Sequence, residues 1–91
     1  MYLVEHYRPG LSSQRLAAAA ADVRAAAAAL AAEGRPVAYL RSTIVPRDES
    51  YLSLFEAGSE DDVRAAYARA GVPYDRISAA VAAEPDKEEA R

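Results

Sequence analysis

The run "LAAAAADVRAAAAALAA", residues 16–32, constrains this chain more than any other segment. Alanine is the best helix former, so the run predicts one long helix. Pro9 and Gly10 close whatever precedes it. Ser12 or Ser13 can cap its start through a side-chain oxygen. Gly34 supplies a left-handed stop after about Glu33. Leu16, Val23 and Leu30 recur every seven residues and define one stripe. The alanines around them let the helix backbone approach whatever lies beneath. A membrane span is not expected. That would need about 20 predominantly apolar residues, and Asp22 and Arg24 stand at the centre of this run.

The segments on either side read as strands. "YLVEHYR" (2–8), "PVAYLRSTIV" (36–45), "SYLSLFEA" (50–57) and "YDRISAAVA" (74–82) are rich in aromatic and branched residues. Between the third and fourth, "SEDDVRAAYARAGVP" reads as a second helix. Ser59 caps it, with Asp62 three places on in capping-box style. Glu60, Asp61 and Asp62 favour the helix dipole. Val63, Ala66, Tyr67 and Ala70 follow helical spacing, and Gly71 and Pro73 end it. The order strand, helix, strand, strand, helix, strand predicts a ferredoxin-like α+β domain, βαββαβ. Its four-stranded antiparallel sheet would carry two helices on one face. Residues 1–83 would form the domain, and the charged "EPDKEEAR" (84–91) a disordered tail.

The central hairpin sets the two faces of the sheet. A loop centred on Arg47-Asp48 pairs Ile44 with Tyr51, Ser42 with Ser53 and Leu40 with Phe55. Side chains alternate. Leu40, Ser42, Ile44, Tyr51, Ser53 and Phe55 would then face the helices, joined by Tyr2, Val4, His6, Asp75, Ile77, Ala79 and Val81. The open face would collect Leu3, Glu5, Tyr7, Tyr39, Arg41, Leu52, Leu54, Glu56, Arg76 and Ser78. A one-residue bulge would exchange the faces. Such an apolar face needs a cover, and a homodimer is the expected one. Glu5, Arg41, Glu56 and Arg76 would form one charged cluster on adjacent strands. Two readings stay open: ion pairs at a subunit contact, or the polar part of a small-molecule pocket lined by Glu5, Tyr7, Tyr39, Arg41, Glu56 and Arg76.

Composition narrows the function classes. Ninety-one residues suit one domain, and a chain this small gains from pairing with a second copy. There is no cysteine, hence no disulfide and no thiolate chemistry, which fits a reducing cytoplasm. The net charge is −3 and the pI about 5.1, without a basic stripe, so nucleic acid is not an expected partner. The start "MYLVEHYRPG" lacks the features of a signal peptide. "RPG" at 8–10 is a turn, not a phosphate loop. Glu49 in the hairpin turn can cap that turn or reach towards Arg47.

"EHYRPG", "GRPVAYLRSTIVPRDESYLSLFEA" and "RAGVPYDRI" resemble a small, mostly actinobacterial family of uncharacterised ferredoxin-like domains that includes a nickel-binding protein. The resemblance spans residues 4–77. It implies the fold, with metal binding, nickel in particular, as a candidate activity and cofactor. The residues themselves support a nickel site only thinly. Nickel favours imidazole and other nitrogen or oxygen donors. The chain has one histidine, His6, the single candidate metal ligand, and its neighbour Glu5 points to the opposite face.

Two functions therefore compete, with a purely structural or regulatory partner domain as a third reading. One is a small binding domain for a metabolite or metal ion, using the open sheet face or a dimer interface. The other is a cofactor-free enzyme, since dimeric ferredoxin-like domains resemble small monooxygenases and polyketide cyclases. Carboxylates among apolar walls would supply the acid and base, Tyr7 or Tyr39 a proton, and Arg41 or Arg76 the anion grip. Serine-type catalysis is not expected, because no nucleophile–base pair can be identified.

Overall fold

The computed structural model describes residues 1–83; the charged segment 84–91 expected as a tail lies outside the described residues. The elements are β1 (Tyr2–Tyr7), α1 (Ser13–Ala32), β2 (Val37–Val45), β3 (Ser50–Ala57), α2 (Glu60–Ala70) and β4 (Arg76–Ala79). The four strands form one antiparallel sheet in the order β2-β3-β1-β4. Both helices pack on one face, which gives the ferredoxin-like α+β fold that the sequence predicts.

Each helix starts and stops where its sequence signals stand. Ser12 Oγ accepts from the Arg15 amide at 3.2 Å and Ser59 Oγ from the Asp62 amide at 3.3 Å, satisfying donors that a helix start leaves unpaired. Both helices end in the same motif. Gly34 and Gly71 have φ of 93° and 68°, conformations in which a Cβ would be strained. The amide after each glycine returns to the helix: Arg35 to Leu30 O at 3.0 Å and Val72 to Tyr67 O at 3.2 Å. Asp62 does not reach back to the cap residue as a capping box would. Its carboxylate takes Arg35 at 3.0 Å, which ties the approach to β2 to the first turn of α2.

The core lies between the helices and one sheet face. Val4, Val23, Ala27, Leu30, Val37, Phe55, Val63, Ala66 and Tyr67 form one buried cluster. The stripe Leu16, Val23 and Leu30 is buried throughout, and Ala20, Ala26 and Ala27 are buried with it. Alanine here does more than form helix. Its short side chain allows α1 to lie close to its neighbours, so a weakly apolar sequence still makes a dense contact.

The register holds at the hairpin and breaks further along. Ile44 pairs with Tyr51 and Ser42 with Ser53, as alternation predicts. A bulge between Tyr39 and Arg41 then shifts the ladder, so that Tyr39, not Leu40, lies opposite Phe55. Two expectations are corrected by this. Tyr39 belongs to the helix side, where its ring meets Phe55 edge-on with centroids 5.6 Å apart. Leu40, expected in the core, is 46% exposed as the extra residue of the bulge. A bulge leaves one residue unpaired, and here the larger aromatic ring takes the core position. The turn at the hairpin's other end is a single 3₁₀ turn over Pro46–Asp48, closed by Glu49 at φ 51°. Glu49 caps this turn through its amide, which donates to the Pro46 carbonyl at 3.1 Å, and its side chain turns away from Arg47. Its Oε2 accepts from the Gly10 amide at 2.7 Å, and its carbonyl accepts from the Arg8 amide at 2.8 Å. It thereby fastens the "RPG" turn to the hairpin.

Candidate functional site

Away from the helices, alternation places Leu3, Glu5 and Tyr7 of β1, Leu52, Leu54 and Glu56 of β3, Arg41 and Thr43 of β2, and Arg76 and Ser78 of β4 on the open face. The register makes rows of them. Arg41, Leu54, Leu3 and Ser78 stand side by side across the sheet, and Thr43, Leu52, Glu5 and Arg76 form the next row. The leucines thus make a half-buried patch across the two central strands.

The structure gathers some of the predicted site residues and separates others. Arg76 Nε lies 3.3 Å from Glu5 Oε2. Tyr7 stands next to this pair, and with Ser50, Leu52 and Asp75 they line an open depression of about 360 Å³. Arg41 stands one row away, opposite Leu54, and Glu56 is further along, opposite Ala38. Both are exposed, and no ion pair joins them to Glu5 or Arg76 among the described residues. The single four-residue cluster is therefore replaced by one pair beside a leucine patch with two outlying charges. Tyr39 is on the other side of the sheet. Val81, expected beneath the helices, lies beyond the end of β4 and is 92% exposed, and Asp75 precedes β4, where it takes no place in the core. Its Oδ2 accepts from the Tyr7 amide at 2.6 Å and faces Arg8 at 3.3 Å, holding the entry of β4 against β1.

His6 lies on the helix side, as alternation predicts, and is only 1% exposed. Its ring stacks on Tyr51 with centroids 3.7 Å apart and planes within 5°. Both nitrogens are engaged. Nδ1 lies 2.9 Å from the Tyr51 carbonyl and Nε2 lies 2.8 Å from the Tyr67 hydroxyl. A carbonyl can only accept, so Nδ1 carries the proton and donates it. The bare Nε2 then accepts from Tyr67 O–H. Burial pushes the imidazole's pKa down to about 4, so the ring is neutral at pH 7. Burial also drives the Tyr67 hydroxyl well above its ordinary value, which keeps it a donor.

Ser53, Ser42 and Tyr39 form a second set of bonded hydroxyls on the helix side of the sheet. Ser53 Oγ lies 2.6 Å from Ser42 Oγ, which accepts from Tyr39 O–H at 2.8 Å. Sequence reasoning placed Ser42 and Ser53 opposite one another but gave them no role. The signal was two facing serines on a core side, where an unpaired hydroxyl is costly. Tyr39 joins them only because of the bulge.

These commitments decide whether the donors of the described residues fit a nickel ion. They do not. Neither His6 nitrogen has a free lone pair, and the described residues contain no group of three or more His, Cys, Asp or Glu side chains that could hold a metal. Comparison with protein families matches residues 2–79 to "Nickel responsive protein SCO4226-like". The chain belongs to that family. The match covers every described strand and both helices, so family membership and observed fold concern the same unit. Comparisons with curated proteins and with solved structures find no match. Among the described residues, no helix is long and apolar enough to cross a membrane.

Proposed function

We propose that this member of the nickel-responsive family is a small ligand-binding domain of the cytoplasm that works as a homodimer through its open sheet face. The observation that carries the reading is the leucine patch, Leu3, Leu52 and Leu54, flanked by the Glu5–Arg76 pair. In a single chain the sheet leaves these leucines half-buried on the side without helices. A second copy would remove them from water at about 25 cal/mol per Å² of apolar surface. The depression beside Glu5, Tyr7 and Arg76 would then be roofed by the partner. Roofed, it offers an apolar floor at Leu52 and a guanidinium for a small organic ligand with an anionic group. Sedimentation equilibrium at micromolar concentration tests the reading. The expected mass is above the 9.7 kDa of one chain, with Leu54→Lys returning it to that value. A wild-type chain that stays monomeric would sink the proposal.

Nickel reaches this chain through the family's name. Glu5 and Asp75, the acids at the depression, are each already opposite an arginine, so we expect weak binding at most. Calorimetry with nickel chloride should show no tight stoichiometric isotherm. A tight one abolished by His6→Ala would require the histidine to leave Tyr51 and Tyr67.

A further inference from the structure

Arg76 of β4 and Glu5 of β1 stand directly opposite one another in the register. The guanidinium makes its contacts through one atom. Nε donates to Ser78 Oγ at 3.1 Å and lies 3.3 Å from Glu5 Oε2. The two terminal nitrogens have no hydrogen-bond partner among the described residues. A guanidinium anchored at Nε has its plane fixed and presents the terminal pair as a fork, the geometry that takes a carboxylate through two bonds.

The acids beside it are also only partly used. Glu5 turns Oε2 to Arg76, and its Oε1 has no partner among the described residues. Asp75, at the rim, commits Oδ2 to the Tyr7 amide and to Arg8 and leaves Oδ1 uncommitted. Between these charges the depression of about 360 Å³ has one apolar side chain, the half-buried Leu52.

Charge decides what such a depression accepts. Glu5 is balanced by Arg76 and Asp75 by Arg8, so the site is neutral as it stands. A simple anion on Arg76 brings its charge beside two carboxylates with nothing to offset it. A simple cation on Glu5 meets Arg76 in the same way. Like charges set side by side oppose binding. A molecule that carries both signs a few bonds apart adds no net charge and gives each uncommitted group a partner. The Glu5–Arg76 contact is open to water, and an exposed pair is weakly held, so a ligand can enter between its members.

We infer that the depression binds a zwitterion: an α-amino acid whose carboxylate takes the Arg76 fork, whose ammonium takes Glu5 and whose small apolar side chain lies on Leu52. The inference rests on the reading of the open face as a ligand site and narrows the anionic ligand of that reading to one class. The volume agrees. Ligand pockets run from roughly 300 to 1,000 Å³, and this one is at the lower end, the size for a single amino acid rather than a peptide or a nucleotide.

Heteronuclear NMR of the full chain at neutral pH tests this, with sedimentation equilibrium on the same samples. The probes are L-valine, L-leucine, isovalerate, which is valine without its ammonium, and isobutylamine, which is valine without its carboxylate. At least one of the two amino acids should shift the amides of Glu5, Tyr7, Leu52 and Arg76 saturably. Isovalerate and isobutylamine should each bind about tenfold more weakly or worse, the effect of losing one charged hydrogen-bonding contact. Arg76→Gln should abolish the response to isovalerate, and Glu5→Gln should remove the preference for valine over isovalerate. Both side chains belong to the face opposite the core, and the spectra themselves report whether each variant is folded. No saturable response to either amino acid would overturn the inference. So would isovalerate binding as tightly as valine to the wild-type chain. A dimer that ignores both amino acids overturns this inference and leaves the dimer standing, whereas a monomer that binds them overturns the dimer alone.

Discussion

At the scale of single residues, His6 makes stability depend on pH in a direction set by its burial. Its pKa is lowered from 6.5 to about 4 in the folded chain, chiefly by desolvation. The unfolded chain therefore binds a proton in a range where the folded chain does not. Between those values the unfolded state carries more protons, so stability falls as pH falls. The contribution is fully present above pH 6.5, is lost progressively down to about pH 4, and is constant below that. At 1.36 kcal/mol per pH unit it amounts to about 3 kcal/mol. Urea melts across this window should show the loss, and His6→Gln, which does not titrate, should flatten it. Tyr67→Phe tests the other side of the same contact. It strips Nε2 of its donor and leaves a buried acceptor unpaired, so a destabilisation of about 1–3 kcal/mol is expected at pH 7.

At the scale of elements, the alanines of α1 carry a second expectation. Ala27 is 2% exposed inside the core cluster, while Ala25 and Ala28 face solvent. Leucine at 27 would have to push α1 away from its neighbours, at a cost of about 1–3 kcal/mol. Leucine at 25 should change the melting temperature little, although both substitutions retain a good helix former. The same contrast explains what could be read from the sequence. Serine caps, glycine stops and the Leu16–Val23–Leu30 stripe act within a few residues, so both helices and all four strands were legible from local pattern. The bulge after Tyr39 was not, because alternation alone gives no reason to prefer Tyr39 over Leu40 beneath the helices. Its only trace is that β2 has nine residues and its partner β3 eight. That one slip carried Tyr39 from the open face into the hydroxyl chain. Glu49 escaped for a different reason. Its partner is Gly10, 39 positions away, and no local pattern announces such a contact.

At the scale of the whole molecule, the open face decides how this domain would exist in solution. Of the charges expected to cluster there, only Glu5 and Arg76 meet, and both remain largely in contact with water in a single chain. An exposed pair of this kind contributes about 0–1 kcal/mol, so it does not hold the face together. The leucines between the charged positions are the stronger argument for a partner. If two copies share that face, association is linked to folding, and the thermal midpoint must rise with protein concentration. A monomer has no such dependence. Melting the chain over a hundredfold range of concentration should therefore move the midpoint upward in the wild type. In Leu54→Lys the midpoint should be independent of concentration. That variant should still fold, because Leu54 belongs to the sheet face opposite the core. Arg41→Ala discriminates further. Arg41 is exposed and stands beside Leu54, at the rim of the patch and away from the Glu5–Arg76 pair. Its removal should shift the concentration dependence modestly and leave the low-concentration midpoint within about 0.5 kcal/mol of wild type. A loss of several kcal/mol on Arg41→Ala would instead mean that the guanidinium is buried against a partner's carboxylate. The face would then be held by charge, and its leucines would be secondary.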